Sequence, residues 1–301
     1  MVASFMEPRL SVRQRVAAKT PPGLRKIARM ALNYPYRIRT WIGILAALRP
    51  IDWRSRKILW ASAVSALLTS FRDLDSFQKP VPLNDLEVDV AGIGRFAIRA
   101  NTDDMLHLLP AREQKVRETI EQRVRPGAVF VDGGANIGFY AILAARLAGP
   151  DGQVVAFEMM PDTAAVLRRH IAANGASAIE VVERALSDHS GSRVRASVEP
   201  GQHGQASIVK DGSERHLSIE VETITLDEAL TGYGPIDLIK LDLEGAEYAA
   251  LKGAAAVLAR TGCVVFESNE RDERIFDLFA NAGFVVEHLE GSDYLAQKAA
   301  R

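Results

Sequence analysis

The amino-acid sequence predicts an α/β protein in which a mostly parallel sheet, with helices on both faces, follows a basic helical extension. From residue 128 onward, short apolar runs of strand length alternate with segments of helical apolar spacing, as in βαβ units. A glycine-rich turn at 132–138 joins the first of these runs to its helix. The charge is uneven, because residues 1–72 carry 14 Lys and Arg against two acids, a net +12, whereas the remainder carries −13.

Length and composition are those of an ordinary globular protein. The chain has 301 residues, of which 48% are hydrophobic and 25% are charged. Pro80 and Pro82 mark a linker, so we expect a helical extension over 1–80 and the α/β domain over 81–301. The single Cys263 excludes an intrachain disulfide and lies in an apolar run, which predicts a buried structural thiol. Because the first 15 residues lack the apolar core of a signal peptide, we expect a cytoplasmic protein.

The basic segment, residues 1–72, admits two interpretations. It contains all three tryptophans, Trp41, Trp53 and Trp60. Its apolar runs, 41–48 and 58–71, are shorter than the about 20 residues that a membrane-spanning helix needs. Basic helices that carry tryptophan suit peripheral contact with the inner face of a membrane, and they equally suit helices that pack on the following domain. Nucleic-acid binding is not favoured, because basic charge alone is non-specific. The sequence does not indicate an oligomeric state.

The second part of the chain opens with a predicted β-hairpin. Residues 86–90 and 95–99 alternate between apolar and polar side chains, and the glycine-containing stretch 91–94 can turn between them. A helix is expected over 111–123. Arg125-Pro126-Gly127 then ends this helix before the first strand of the main sheet.

The turn after that strand, Asp132-Gly133-Gly134-Ala135-Asn136-Ile137-Gly138, is typical of a nucleotide site. Small residues let the backbone approach a ligand, Asn136 suits a positive φ, and free backbone N–H groups at the helix start would point at the ligand. Two ligands fit the spacing. Gly133-x-Ala135-x-x-Gly138 is a degenerate dinucleotide fingerprint, whereas Asp132-x-Gly134-x-Asn136-x-Gly138 suits S-adenosylmethionine. The Asp132 carboxylate favours the second, because it would repel a pyrophosphate and attract an ammonium and a sulfonium.

The next strands bring more candidate residues to the same edge. Glu158 ends the predicted strand 153–157, where a carboxylate can accept hydrogen bonds from both ribose hydroxyls. Met159 follows it, before a helix that we expect to begin with Asp162 as its N-cap and to run to Asn174. A third strand, 179–183, would deliver Ala185 and Leu186 to the adenine.

Residues 189–222 break the alternation of strands and helices. They predict short strands around a flexible loop on the ligand side, which we interpret as a lid over the acceptor.

A second acidic stretch follows the predicted buried strand 236–241. Asp242 and Glu244 should emerge at the carboxyl end of this strand, beside the nucleotide, and Glu247 should lie in the first turn of the next helix. A further strand, 263–267, would bring Glu267 to the same rim. A final helix over 274–282 and strands over 284–289 and 294–296 would close the sheet.

From about Leu86 to Ala296 the chain resembles the FkbM family of S-adenosylmethionine-dependent methyltransferases. The resemblance rests on six features in order: the 131–138 turn, Ala156-Phe157-Glu158, Asn174 at the end of the helix, Thr225-Leu226-Asp227, the 240–247 stretch Lys-Leu-Asp-Leu-Glu-Gly-Ala-Glu, and Lys252-Gly253-Ala254. The Asp-x-Glu-Gly-x-Glu element is more diagnostic than the glycine turn. The chain departs from the family at Met159-Met160-Pro161, where Pro-Asn-Pro is usual. Residues 1–80 lie outside the resemblance.

The resemblance implies a Rossmann-like class I methyltransferase fold with a mostly parallel seven-stranded sheet. It also implies O-methylation of a sugar, glycolipid or secondary metabolite. The cofactor site would comprise Asp132, Gly133, Gly134, Ala135, Asn136, Gly138, Glu158, Met159, Ala185, Leu186 and Asp242. A hydroxyl is a poor nucleophile at neutral pH, so we expect Asp242 or Glu244 to act as the base, assisted by Glu247. A divalent cation held by Asp242, Glu244 and Glu267 is a less favoured variant.

Two other functions stay open at this point. An NAD-dependent oxidoreductase is disfavoured by Asp132 and has no need of the Asp-x-Glu-Gly element. A non-catalytic nucleotide-binding membrane adaptor is disfavoured by the full set of acids at the rim. Binding of S-adenosylmethionine against NAD would separate these classes.

Overall fold

The computed structural model describes residues 22–69, 80–109, 111–198, 207–208, 217–269 and 271–298. The chain divides into two compact units. The first comprises Met1–Gly92 and Phe96–Arg112, and the second comprises Ile93–Arg95 and Glu113–Arg301. Most of the predicted hairpin therefore belongs to the first unit, and residues 93–95 belong to the second. The domain boundary expected at residue 80 stays a prediction, and the linker before it includes residues outside the described ranges.

The first unit combines helices with a small antiparallel sheet. Its elements are α1 (Pro22–Ala47), β1 (Leu48–Pro50), α2 (Trp53–Thr69), β2 (Leu86–Val90), β3 (Gly94–Ile98, which begins in the second unit) and α3 (Asp104–His107). The strand order β1-β2-β3 confirms the hairpin and adds β1, which pairs antiparallel with β2. β1 was not predicted, because a strand of three residues directly after a helix is too short to show an alternation of apolar and polar side chains. Among the described residues, no helix combines the length and apolar character needed to cross a membrane.

The second unit carries the large sheet. Its helices are α4 (Gln114–Arg123), α5 (Phe139–Ala148), α6 (Pro161–Asn174), α7 (Leu226–Ala229), α8 (Glu247–Lys252), α9 (Ala255–Ala259) and α10 (Glu273–Asn281). Its strands are β4 (Val129–Gly133), β5 (Gln153–Phe157), β6 (Ile179–Val182), β7 (Ala185–Leu186), β8 (Arg193–Val198), β9 (Ser207–Ile208), β10 (Leu217–Ile224), β11 (Ile236–Leu241), β12 (Thr261–Glu267), β13 (Phe284–Glu290) and β14 (Asp293–Lys298).

Seven of these strands form one sheet in the order β13-β14-β12-β11-β4-β5-β6. The pairs among β6, β5, β4, β11 and β12 are parallel, and β14 pairs antiparallel with both β12 and β13. This mostly parallel sheet, alternating with helices along the chain, is the predicted Rossmann-like class I methyltransferase fold. Parallel strands buried on both faces are mostly apolar, as in β11, where Leu238, Ile239 and Leu241 are buried and the buried Lys240 is the exception.

The segment 189–222 builds more regular structure than expected. β10 runs for eight residues and pairs with β8, which also pairs with β9, so a second sheet forms in the order β7-β10-β8-β9. β7 joins this sheet through a parallel pairing with β10 and is not part of the main sheet. Residues 199–206 and 209–216, which include most of the predicted acceptor lid, lie outside the described residues.

Two helix starts differ from the sequence expectation. Met160 is the N-cap of α6 and Pro161 occupies its first position, so Asp162 lies in the first turn and is not the cap. Proline is favoured at that position because its missing N–H would be unpaired there in any case. The helix expected from residue 111 begins at Gln114, after Glu113 in a left-handed conformation with φ 50°.

The main core lies around the large sheet, and its aromatic rings pack at the edge of the sheet that the end of the chain forms. Phe266 stacks on Tyr294 with ring centroids 5.5 Å apart and lies 5.0 Å from the ring of Phe279. These rings join β12, β14 and α10, which explains why the strand pair and helix at the end of the chain close the sheet. Cys263 is buried and donates to the carbonyl of Asp237 at 3.3 Å, which confirms the predicted buried thiol.

Candidate active site

The carboxyl ends of β4, β5, β11 and β12 meet at one edge of the main sheet. In the register of these strands, Lys240 of β11 lies beside Asp132 of β4 on one side and Val265 of β12 on the other. The acids predicted at the ends of the strands therefore share this edge, as expected for ligand sites in open α/β sheets.

The glycine turn approaches the neighbouring strand end too closely for a side chain at Gly134. This residue has φ +77°, and a Cβ built there would lie 1.9 Å from the carbonyl oxygen of Asp242. Asn136 also adopts a left-handed conformation, with φ 50°, as its side chain predicted. The turn thus brings the end of β4 into van der Waals contact with the start of the acidic 242–247 loop.

Four backbone N–H groups of this turn, those of Gly134, Ala135, Asn136 and Gly138, are already hydrogen-bonded. Gly134 and Ala135 both donate to the carbonyl of Phe157, at 3.0 and 2.9 Å, and Gly138 donates to the carbonyl of Ala135 at 2.9 Å. The Asn136 N–H donates to Glu158 Oε2 at 2.9 Å. These four N–H groups are therefore not available to a pyrophosphate, and the free N–H groups expected at the start of the helix stay a prediction.

Glu158 joins the turn to the next strand end. Its Oε1 accepts from the Met160 N–H at 2.8 Å, and Oε2 accepts from the Asn136 N–H. The side chain is held in one orientation and the residue is 7% exposed. A carboxylate has about four lone-pair sites and can accept from several donors at once, so this geometry remains compatible with binding to ribose hydroxyls.

Asp132 is buried without a hydrogen-bond partner. The residue is 1% exposed, and neither carboxylate oxygen finds a donor in the part of the chain that the structure describes. The Ala141 N–H lies near enough to lower the pKa of Asp132 but does not complete a hydrogen bond at normal geometry. Burial outweighs the opposing effect of the Lys240 ammonium and raises the pKa of Asp132 to about 6.

The residues expected beside the adenine lie in apolar surroundings. Leu186 belongs to the main core, and Ala185 packs with Met160, Ala196 and Val221 in a smaller cluster against which the half-buried Met159 also packs. Contact of Met159, Ala185 and Leu186 with a nucleotide stays a prediction. The unusual Met-Met-Pro stretch is explained locally, because methionine fills the space between the strand end and the small sheet.

The acidic loop after β11 has a strained backbone. Glu244 has φ 51° and is followed by Gly245 with φ 98°. A non-glycine residue in this region costs of order 1 kcal/mol or more, and such strain clusters at functional sites. Asp242 and Glu244 are both half-buried, and Asp242 Oδ2 lies 3.2 Å from Lys240 Nζ.

Glu247 holds this loop in shape. Its Oε1 accepts from the N–H groups of Leu243 at 2.7 Å and Gly245 at 3.3 Å, and the residue is 4% exposed. Burial raises the pKa of Glu247, although these N–H groups oppose the shift. This geometry supports a positioning role, and the predicted part of Glu247 in proton transfer remains untested.

Asp293, which was not predicted as a site residue, lies at the rim with the predicted Glu267. Burial, together with the charges of Glu113 and Asp242, raises the pKa of Asp293 to about 8. Burial and then Asp242 raise the pKa of Glu267 to about 7, and its Oε1 accepts from Ser292 Oγ at 2.8 Å. Asp293 lies opposite Glu267 in the β12–β14 pairing. Nothing near Asp293 in the sequence signals this site.

Lys240 and Tyr140 were not predicted as site residues either. Lys240 Nζ lies 5.1 Å from the centroid of the Tyr140 ring, and the Tyr140 hydroxyl donates to Glu113 at 2.9 Å. A lysine alone within a buried apolar strand was the available signal for Lys240, because such a charge needs nearby carboxylates.

Two occupants are proposed for this site, S-adenosylmethionine and a divalent cation. An ammonium group, such as that of the methionine portion of S-adenosylmethionine, would supply the donor that buried Asp132 lacks, so the residues fit this cofactor. Within the described ranges, no three His, Cys, Asp or Glu side chains are grouped so that they could hold a metal ion. The variant in which Asp242, Glu244 and Glu267 hold a cation therefore gains no support from this geometry.

Comparison with known proteins adds two findings. The family model described as "Methyltransferase FkbM domain" matches residues 132–293. Methyltransferase sdnD of Sordaria araneosa is 30% identical over 155 residues, and the alignment covers 41% of this chain and 59% of that protein. The chain therefore spans less than two thirds of the length of this curated relative.

Solved structures also resemble the chain at low identity. Precorrin-6y C5,15-methyltransferase from Geobacter metallireducens is 16% identical, with a TM-score of 0.41, over 62% of this chain and 89% of that chain. An S-adenosylmethionine-dependent O-methyltransferase from Thermotoga maritima is 13% identical, with a TM-score of 0.42, over 71% and 78% of the two chains. At these identities and TM-scores, neither resemblance bears on the activity of this chain.

Proposed function

The chain belongs to the FkbM methyltransferase family, whose cofactor is S-adenosylmethionine, and we propose that it methylates a hydroxyl group of a sugar, glycolipid or secondary metabolite. The observation that carries the proposal is the meeting of Asp132 and Glu158 with Asp242 and Glu244 at one edge of the sheet. The first two residues suit the cofactor, and the second two suit a hydroxyl nucleophile.

The chain's own residues would bind and orient the cofactor, which supplies an electrophilic methyl group on a sulfonium. Glu158 accepts from the ribose hydroxyls in this proposal, while Asp132 accepts from the ammonium. Both carboxylates are fixed by buried surroundings, and Glu158 is further held by two backbone donors. Such fixed geometry favours in-line displacement because alignment supplies much of the rate.

Proton removal from the acceptor is assigned to Asp242 or Glu244. Both are half-buried at the rim, so a hydroxyl in the site can reach them. Lys240 restrains Asp242 through the 3.2 Å contact, and Glu247 shapes the loop that carries Glu244 through its two backbone hydrogen bonds. A positioned base contributes about 10²- to 10⁴-fold in rate. The less favoured variant, with a divalent cation at Asp242, Glu244 and Glu267, remains a prediction.

The proposal extends to partners and location. We expect a small-molecule or glycan acceptor rather than a nucleic acid, and a cytoplasmic protein with peripheral contact between residues 1–72 and the inner face of a membrane. The basic charge of this segment supports the contact, and a glycolipid acceptor would be consistent with it.

Calorimetric binding tests the cofactor assignment. The purified chain is titrated with S-adenosylmethionine, with S-adenosylhomocysteine and with NAD. We expect micromolar binding of the two sulfur nucleotides, no binding of NAD, and at least a tenfold loss of S-adenosylmethionine affinity in Asp132→Ala. Asp151→Ala is the matched control, because Asp151 is exposed in the turn before β5.

Each alternative predicts a different result, either in this titration or in an assay of labelled methyl transfer. Binding of NAD alone would favour an oxidoreductase. S-adenosylmethionine binding without transfer of labelled methyl to any glycolipid, sugar or secondary-metabolite fraction would favour a non-catalytic adaptor. Label recovered on a hydroxyl oxygen supports the proposal, whereas label on nitrogen or carbon contradicts O-methylation.

A further inference from the structure

Helix α2 has two apolar faces, and the first unit uses only one of them. The inner face consists of the buried residues Ser55, Leu59, Ser62 and Ala63. Ser55 Oγ accepts from the N–H of Glu87 and Ser62 Oγ accepts from that of Leu83, both at 3.0 Å. These contacts fix the orientation of the helix within its unit.

The opposite face carries large apolar side chains in solvent. Trp53 is 69% exposed, Trp60 56%, Val64 52% and Leu68 62%. Their spacing of seven, four and four residues returns them to nearly the same angle on a helix with 3.6 residues per turn. They form one continuous line along the helix, called here the tryptophan stripe. Soluble monomers rarely expose such a line, so the stripe indicates an interaction surface.

Charge identifies the kind of surface that the stripe fits. Arg54, Arg56 and Lys57 are exposed on the first turns of α2, and the Lys57 ammonium lies 4.3 Å from the centroid of the Trp53 ring. Between residues 37 and 69, Asp52 is the one acid in the sequence. Tryptophan favours the boundary between headgroups and acyl chains, and clustered cations favour anionic headgroups.

We propose that the tryptophan stripe is a membrane-docking face, by which α2 lies in the plane of a bilayer surface that contains anionic lipid. Trp53, Trp60, Val64 and Leu68 enter the boundary region, and Arg54, Arg56 and Lys57 contact headgroup phosphates. This inference gives a definite face to the membrane contact within the proposed function, and it does not depend on methyl transfer.

The test uses the full chain with vesicles of phosphatidylcholine alone or with about a third phosphatidylserine. Flotation measures binding, and tryptophan fluorescence reports the environment of the stripe, since Trp41 is buried and only Trp53 and Trp60 are exposed. We expect binding to the anionic vesicles with a blue-shifted emission, and weaker binding as salt rises.

Variants locate the contact. Trp53→Ser with Trp60→Ser should lower the vesicle partition coefficient at least tenfold. Val285→Ser is the control, because Val285 is 57% exposed in the second unit. Arg54→Gln, Arg56→Gln and Lys57→Gln together should lower binding to anionic vesicles by about 10- to 100-fold. The matched triple change at the exposed Arg193, Arg195 and Arg271 should have little effect.

Several outcomes would overturn the proposal. Absence of binding to either vesicle would do so, as would equal binding by the tryptophan double variant. A dimer in sedimentation that dissociates in that variant, without vesicle binding, would assign the stripe to a second copy of the chain. Calorimetric binding of S-adenosylmethionine to the same preparations shows whether the cofactor assignment stands or fails separately.

Discussion

At the scale of single residues, Lys240 explains how several carboxylates coexist at one sheet edge. Burial alone would lower the pKa of Lys240, but the charges of Asp242 and Asp132 raise it above its usual value, so the ammonium persists. The residue is 4% exposed, and removal of its charge would leave buried carboxylates without compensation. In the proposed function, this cation would stabilise Asp132 at the cofactor and Asp242 at the acceptor.

The assignment of the base predicts a defined kinetic result. Asp242→Asn and Glu244→Gln together should lower kcat by about 10²- to 10⁴-fold, because neither amide accepts the hydroxyl proton. Initial rates of labelled methyl transfer measure this loss. Glu228→Gln, at the exposed position of helix α7, is the control. Unchanged turnover in the double variant, with cofactor affinity intact, would remove the base assignment and the metal variant alike.

At the scale of elements, the glycine turn and the acidic loop form one unit because Gly134 touches the backbone of Asp242. Gly134→Ala should abolish S-adenosylmethionine binding and lower the free energy of unfolding by about 2–4 kcal/mol, from overpacking and positive-φ strain together. Urea unfolding and calorimetry measure the two effects.

A variant at a second glycine distinguishes the cost of positive-φ strain from the cost of steric overlap. Gly175, the C-cap of α6, has φ +61° and ψ 24°, in the left-handed helical region, and a Cβ built on it meets no atom within 4 Å. Gly175→Ala should therefore cost only the conformational term of about 1 kcal/mol and leave binding unchanged. Equal losses in the two variants would show that contact with Asp242 is unimportant.

The loop after β11 gives a second prediction at this scale. Glu247→Ala removes the buried acceptor of two partly buried N–H groups and should cost about 1–3 kcal/mol of stability. Glu247→Gln keeps a carbonyl oxygen there and should retain most activity. If Gln and Ala variants lose kcat equally while stability is kept in Gln, Glu247 transfers protons and is more than a positioning residue.

For the whole molecule, buried carboxyls make stability depend on pH. The folded protein holds the pKa of Asp132 at about 6, Glu267 at about 7 and Asp293 at about 8, in each case mainly through burial. Unfolded carboxyls titrate near about 4, so the folded state binds more protons between these limits. These groups stabilise the fold fully below about pH 4, and their contribution is lost as pH rises through the folded values.

We therefore expect the free energy of unfolding to fall between pH 5 and pH 9, as measured by urea titration. Asp293→Asn should reduce this slope and raise stability at pH 8 to 9, because the amide carries no charge to bury. Asp277→Asn, at an exposed site on α10, should leave the slope unchanged. A stability that rises with pH over this range would contradict the burial of the cluster in a low-dielectric site.

Local pattern predicted most of the main sheet. The strands at 153–157 and 236–241 have the expected bounds, because a buried strand is apolar along most of its length. Short elements were less predictable. β1 and the parallel pairing of β7 with β10 depend on a distant partner, and two or three residues carry too little periodicity to reveal one.

The sequence by itself determined the order of strands and helices, the acids at strand ends and the family, because each is encoded in contiguous residues. Only the tertiary structure decided that Lys240 lies beside Asp132 of the neighbouring strand, and that burial and the charge of Glu113 raise the pKa of Asp293. It likewise decided that four N–H groups of the glycine turn are already hydrogen-bonded. Strand register and long-range packing set these relations, and neither is written in any local stretch of the chain.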